Sequence, residues 1–267
     1  MELRSPARAV AAGLALATGV AALPAVADGT LPLDPSRFPD PSKLLSDAVV
    51  SSSVRTVGAL GDHRPYDPAS LSPDGAGFEL GAEVSLVHVP AAFKTALSDA
   101  GLTSASNLPD AVPVPRIHLR KRFGKATSIG LSGIKYRNYQ IFGGDVKFVM
   151  AQPEEGPGWA LRLAYSTATL GFVSTTTITP QFVVSRALDF FEPYVGGGWQ
   201  LCSGKVDISS ATPAGLSPKS RTGSASQGIG FLGIAYKPKD MLIQFALEGA
   251  FNTGGAPTLG VRTGINL

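Results

Sequence analysis

The chain has 267 residues, 44% of them apolar and only 16% charged, with 31 glycines and 21 prolines. So apolar a chain is not disordered, and so much glycine and proline argues against a mostly helical protein. The formal charge of +3 gives no argument for nucleic acid, and the single cysteine, Cys202, excludes an internal disulfide, a cysteine zinc cluster and a Cys-pair redox motif.

The chain opens on a predicted export signal, residues 1–27. Arg4 and Arg8 form a basic start, Ala9 to Leu23 an apolar stretch, and Ala25-Val26-Ala27 a small-x-small cleavage site before Asp28. Removing it lowers the formal charge to +2, since Glu2, Arg4 and Arg8 leave together. No cysteine follows the site, so no lipoprotein anchor is expected. Beyond it there is no uninterrupted apolar run of about 18 residues, the length a membrane-spanning helix requires.

Residues 28–76 are rich in Pro, Asp and Ser and read as a loosely packed periplasmic segment. One amphipathic stretch, Leu44 to Val57, predicts a short helix capped by Ser42, with Leu44, Leu45, Ala48 and Val49 on one side. The alternatives for this segment are a plug inside a barrel or an extra strand through Val54 and Val57. His63 is expected in solvent.

From residue 77 to Leu267 the sequence alternates with period 2, which on a pleated strand puts each set on its own face. Phe78, Leu80, Ala82, Val84 and Leu86 oppose Glu79, Gly81, Glu83 and Ser85. Ile117, Leu119 and Phe123 oppose Arg116, His118, Arg120 and Arg122, and Phe142, Val146, Phe148 and Met150 oppose Asp145 and Lys147. Trp159, Leu161, Leu163 and Tyr165 oppose Arg162. Met241, Ile243, Phe245, Leu247 and Phe251 oppose Gln244 and Glu248, and Leu259, Val261 and Ile265 oppose Arg262. The predicted strands are 77–89, 114–123, 126–137, 139–151, 158–170, 172–188, 191–207, 226–237, 240–253 and 256–267. Ten is an even number, as in bacterial single-chain membrane barrels, with twelve the alternative count. The two long connections, 90–113 and 208–225, are the first and seventh, so both fall at one end of an up-and-down meander.

Alternation alone does not tell a soluble β-sandwich from a membrane barrel, whose apolar face is turned outward. Strands of ten or more residues exceed the usual five or six of globular sheets. Tyr136, Tyr139, Phe142, Trp159, Phe172, Phe190, Phe191, Tyr194 and Tyr236 lie near predicted strand ends, where membrane barrels carry aromatic girdles. These features favour an outer-membrane barrel.

The blocks VPVPRIHLRKRFG (Val112 to Gly124), GGDVKFVM (Gly143 to Met150), WALRLAYSTATLG (Trp159 to Gly171) and FFEPYVGGGWQ (Phe190 to Gln200) resemble a family of uncharacterised proteobacterial outer-membrane barrel proteins. The resemblance spans about Gly77 to Leu267 in scattered short blocks. It implies fold and compartment and carries no activity. Two features depart from it: the chain ends in Leu267 where such barrels commonly end in Phe or Trp, and Pro180 lies inside a predicted strand, where a bulge or break near Thr179 is expected.

Little of the sequence points to chemistry. Gly228-Ile229-Gly230-Phe231-Leu232-Gly233 matches GxGxxG, with Glu248 twenty residues after its first glycine, but β-like alternation follows where a dinucleotide site needs a helix. His118 shares a face with three arginines and is expected to hydrogen-bond inside the barrel. His88, at the outer end of the first strand, would need Asp99, Asp110 or Asp207 beside it to serve a rim hydrolase. The main constellation is the predicted lumen: Glu79, Glu83, Arg116, Arg120, Arg122, Asp145, Lys147, Arg162, Glu192, Glu248 and Arg262 share the inward parity. A ten-stranded barrel is narrow, so these charges must pair or stay hydrated.

The expectation is therefore an exported up-and-down outer-membrane β-barrel, structural or passively transporting, with a charged and largely closed lumen. No enzyme activity, catalytic residue, cofactor or metal is expected; the partners are outer-membrane lipid and the barrel-assembly machinery, with no nucleic acid. A rim-active protease or lipid-modifying enzyme and a soluble periplasmic β binding protein are the alternatives.

Overall fold

The computed structural model describes residues 34–71, 77–102, 105–136, 139–153, 156–211, 219–237 and 242–267. The export signal lies outside these residues, as do Met241 and the side chain of Tyr136. The period-2 segments form ten strands: β1 (Phe78–His88), β2 (Ala111–Phe123), β3 (Thr127–Tyr136), β4 (Tyr139–Ala151), β5 (Gly158–Leu170), β6 (Val173–Ser185), β7 (Phe191–Asp207), β8 (Ser220–Tyr236), β9 (Ile243–Asn252) and β10 (Thr258–Asn266). Each is antiparallel to the next, and β10 closes on β1, so the sheet is an up-and-down barrel with no free edge. Closure satisfies the backbone donors and acceptors that an open sheet would expose.

Both chain ends of the barrel, Phe78 and Asn266, meet at one rim, where the Leu267 amide donates to the Phe78 carbonyl at 2.9 Å. The connections at this rim are the shorter set, including Gly124–Ala126. The opposite rim carries the two long ones, β1–β2 and β7–β8. The first holds helix α2 (Ala91–Asp99) and a short 3₁₀ turn over Ala105–Asn107. Strand β8 starts six residues earlier than predicted, because Ser220–Ala225 continue the ladder with β7 although they carry no apolar alternation.

Pro180 produces neither a bulge nor a break. β6 pairs with β5 without interruption, Pro180 opposite Leu163, while the ladder to β7 skips from Ile178–Leu201 to Gln181–Gly198 with no change of register. The missing N–H therefore costs one site on one side of the strand. The register shift in the wall lies in β4, between Val149 and Ala151.

The wall is inverted relative to a soluble sheet. Ile117, Leu131, Leu163, Leu232 and Phe251 are more than half exposed on the outer surface, while Glu83, Arg116, Arg120, Lys147 and Arg162 are buried inside. Exposed aromatics gather towards the short-turn rim: Phe78, Phe123, Trp159, Phe182, Phe190 and Phe191. Trp159 and Phe182 are 5.8 Å apart, and Phe191 and Tyr236 are 5.1 Å apart. Phe172 and Tyr194 do not belong to this belt. Phe172 packs edge-on against Phe38 at 6.1 Å, and Tyr194 points inward.

The N-terminal segment fills the barrel. Asp34-Pro35-Ser36 and Asp40-Pro41-Ser42 each start a 3₁₀ turn, over Pro35–Arg37 and Pro41–Leu45, with the Asp carboxylate accepting from the Ser amide and proline in the first turn. These hydrogen bonds, first of all from the serine hydroxyls, lower both carboxyls below their ordinary value. Ser42 thus serves the Asp40 cap and does not itself cap a helix. Helix α1 (Asp47–Gly61) follows Ser46. It is built mainly from Val, Ser, Ala and Gly, side chains slim enough for a helix of ~10 Å diameter to enter a narrow barrel. Every residue from Thr56 to Leu71 is buried, where the sequence alone predicts loose packing.

Candidate lumenal site

Two layers occupy the interior. Towards the long-connection rim it is apolar: Phe38, Leu44, Val50, Val54 and Val57 of the segment pack with Phe93 and Leu97 of α2 and with Phe172, Val173, Val206 and Ile208 of the wall. Towards the short-turn rim it is polar, and the extended stretch Asp62–Leu71 lies against the charged residues of the strands.

All eleven residues read as inward from parity are buried. Asp145 is a hub: it accepts from Arg120 Nη2 at 2.9 Å and from His63 Nε2 at 2.8 Å, with Arg162 Nε at 3.9 Å. Glu79 accepts from His118 Nε2 at 3.0 Å and pairs with Arg262. Glu192 accepts from Ser70 and Ser185 hydroxyls, each at 2.6 Å, and from Lys237 at 3.0 Å. Glu248 accepts from the Tyr194 hydroxyl at 3.0 Å, and Arg122 donates to Asn266 Oδ1.

Most of the remaining partners come from the segment's backbone. Arg116 reaches the Leu60 and Asp62 carbonyls at 2.9 and 2.6 Å, with Glu83 at 3.5 Å. Arg262 donates to the Pro65 carbonyl, and Arg162 to that of Asp67 at 2.6 Å. Lys147 donates to the Pro68 and Ser70 carbonyls at 2.8 and 3.1 Å and pairs with the Asp67 carboxylate. An extended chain without sheet partners leaves its carbonyls unpaired, and buried acceptors need donors. The wall cations supply them.

Glycines make room for the segment's two large rings. A side chain at Gly260 would place its Cβ 2.2 Å from the Tyr66 hydroxyl, and one at Gly143 would meet His63 Cβ at 2.7 Å. Tyr66 also hydrogen-bonds Ser85.

His63 lies between Asp145 and the Ser132 hydroxyl, which is 2.8 Å from its Nδ1. It is 2% exposed rather than solvated as its sequence context implies. A carboxylate only accepts, so Nε2 carries the proton that faces Asp145. Ser, His and Asp in contact carry the residue types of a nucleophilic relay. Ser132, however, faces a filled lumen. Two cavities beside this network, one lined by Asp67, Glu79, Arg120 and Gln244 and the other by Arg64, Arg162, Gln181 and Glu248, measure about 10 Å³ each, room for about one water. The arrangement holds the segment, and neither cavity has room for more than about one water.

Asp110 lies beside His88, the Val89 amide donating to the Asp110 carbonyl at 2.8 Å, but its carboxylate pairs with Lys94 at 2.7 Å. Asp207 pairs with Lys205 on β7, across the barrel from β1. Gly228–Gly233 lie within strand β8, with no helix after them. No group of three or more His, Cys, Asp or Glu among the described residues has metal-binding geometry.

No family model matches the sequence, and no curated protein matches it. Among solved structures, the N-terminal β-barrel domain of Pseudomonas aeruginosa OprF is 12% identical, covering 73% of this chain and 100% of that one at a TM-score of 0.32. Neisserial surface protein A is 10% identical with the same coverages and TM-score. Omp33 of Acinetobacter baumannii is 8% identical, covering 72% and 98% at 0.31. The barrel assignment rests on the strand pairing itself.

Proposed function

We propose that this chain is an outer-membrane β-barrel, akin to the proteobacterial family its sequence blocks resemble, whose lumen is held shut by its own N-terminal segment. Its role is structural, or at most that of a very restrictive passive pathway. The inverted wall supports this reading. A continuous outer surface of Leu, Ile, Val, Phe and Trp would leave far more apolar area in water than soluble monomers expose, while lipid covers it at no such cost. Strands of nine to seventeen residues suit a bilayer, which a tilted strand crosses in about ten. A soluble binding protein would need the opposite polarity and an open site.

Cell fractionation followed by detergent extraction and a heat-modifiability gel tests the reading. The protein is expected in the detergent-extracted envelope, with a folded band that shifts on boiling. Recovery as a soluble species without detergent would overturn it.

A further inference from the structure

Both termini of the barrel wall lie at the short-turn rim. The segment that precedes β1 runs the other way, and its contacts fix its direction strand by strand. Along β7, which climbs from Phe191 at the short-turn rim to Asp207, Val54 lies near Gly204, Gly58 near Cys202, and Ser70 at Glu192. Along β6, which descends from Val173, Gly58 lies near Thr177, Asp62 accepts from Thr179, and the Ala69 amide donates to Ser185. Beside β4, His63 meets Gly143 and Asp145, Lys147 meets Asp67, and just past its end Gln152 meets Leu71. At the far rim Arg221, near the start of β8, donates to the Leu45 carbonyl at 2.8 Å and to Asp47 at 2.6 Å.

From these contacts we infer that the barrel carries its own N-terminal segment across the membrane and presents the peptide around Asp34–Lys43 on the face of the two long connections, opposite the barrel's own termini. The inference rests on the membrane reading above. The emerging peptide suits that position: Phe38, Leu44 and Leu45 anchor it to the rim, while Asp34, Ser36, Arg37, Asp40 and Lys43 are exposed. Mixed charge on a short anchored peptide belongs in water, so what is presented is a solvated polar surface rather than a lipid contact.

Single cysteines report the face. In full-length protein carrying Cys202→Ala, the exposed residues Ser36, Lys219 at the long-connection rim and Lys125 at the short-turn rim are each changed to Cys and treated with a membrane-impermeant maleimide, before and after outer-membrane permeabilisation. Ser36→Cys is expected to label together with Lys219→Cys, whichever face that is, with Lys125→Cys showing the opposite dependence. Labelling of Ser36→Cys in step with Lys125→Cys overturns the inference. A second measurement does not depend on the membrane. A Cβ at Gly58 would lie 3.1 Å from Cys202 Cβ, so a shift of under about 1 Å reaches disulfide geometry. Gly58→Cys is expected to oxidise onto Cys202, with loss of both free thiols, whereas Ser36→Cys is not. Uniform labelling of all three sites with a formed 58–202 bond sinks the membrane reading and leaves the passage through the lumen. Failure of that bond to form sinks the passage.

Discussion

Asp67 shows how much of the lumen turns on single side chains. Its carboxylate pairs with Lys147 and lies 3.7 Å from Arg120, while its carbonyl accepts from Arg162. Asp67→Asn keeps the shape and the carbonyl contact but leaves Lys147 and Arg120 short of a counter-charge. Removing one partner of a buried pair costs about 3–5 kcal/mol, and denaturant titration in detergent should show a loss of that order. Restoring neutrality with Lys147→Met should recover part of it, and a double-mutant cycle measures the coupling. Gln244 carries a second residue-scale prediction. Sequence parity makes it inward and Phe245 outward, so Arg at 244 looks tolerable and Arg at 245 does not, a lipid-facing Arg costing about 2–4 kcal/mol at the midplane. The parity is right: Gln244 is 5% exposed and Phe245 is 40%. The tolerance is not expected, because Gln244 shares its small cavity with three cations, Arg120, Arg122 and Lys237, against two carboxylates, Asp67 and Glu79. Gln244→Arg adds a bulky cation where cations already outnumber carboxylates and about one water fits. Both Arg substitutions should therefore impair assembly, while Gln244→Glu should assemble normally in a heat-modifiability assay.

At the scale of elements, the wall was legible and its contents were not. Period 2 survives in β1, β2, β5 and β9 because an exposed apolar outer face and a buried charged inner one make opposite demands on alternate residues. Where neither demand acts strongly, as at Ser220–Ala225 of β8, the strand leaves no pattern and is found only through its pairing. The stretch Asp62–Leu71 is silent for a different reason. It has no periodicity, since its order comes from side chains more than fifty residues away that grip its carbonyls, and a carbonyl is the same on every residue. One signal was there: the inward face of the strands holds more cations than carboxylates, and the Pro-rich segment brings Asp62 and Asp67. Helix α1 was partly legible. Its amphipathic start was visible, but Val54, Val57 and Leu60 are buried because wall surrounds the helix on several sides. Its fit can be tested at Gly61, where an added Cβ would come 2.5 Å from that of Ala168. Gly61→Leu should overpack the lumen, a change that costs about 1–3 kcal/mol in well-packed cores, and Ala168→Gly should relieve part of the loss. Equal stability of the single and double variants would place the helix elsewhere.

For the whole molecule, charge balance decides whether the barrel conducts. On the wall, the buried cations Arg116, Arg120, Arg122, Lys147, Arg162 and Arg262 face the carboxylates Glu79, Glu83, Asp145, Glu192 and Glu248, six against five. The segment adds Asp62 and Asp67 against Arg64, so with the histidines neutral the filled lumen balances within these residues. Balance and close filling together leave little room for a hydrated ion beside water-sized voids. Full-length protein in a planar bilayer should accordingly show almost no conductance. Weakening the segment's hold changes this. With Asp62→Ala and Asp67→Ala combined, Arg64 loses its 3.2 Å partner and Lys147 its carboxylate, so the extended stretch has fewer contacts to keep it in place. Whenever it leaves, the exposed wall carries five guanidinium groups, which stay ionised throughout the accessible pH range, and Lys147 against five carboxylates, a net positive lining that favours anions. The double variant should thus show intermittent openings whose reversal potential favours chloride over potassium. A steady, weakly selective current from the unaltered protein would mean that the segment does not close the lumen and that the molecule is an open porin.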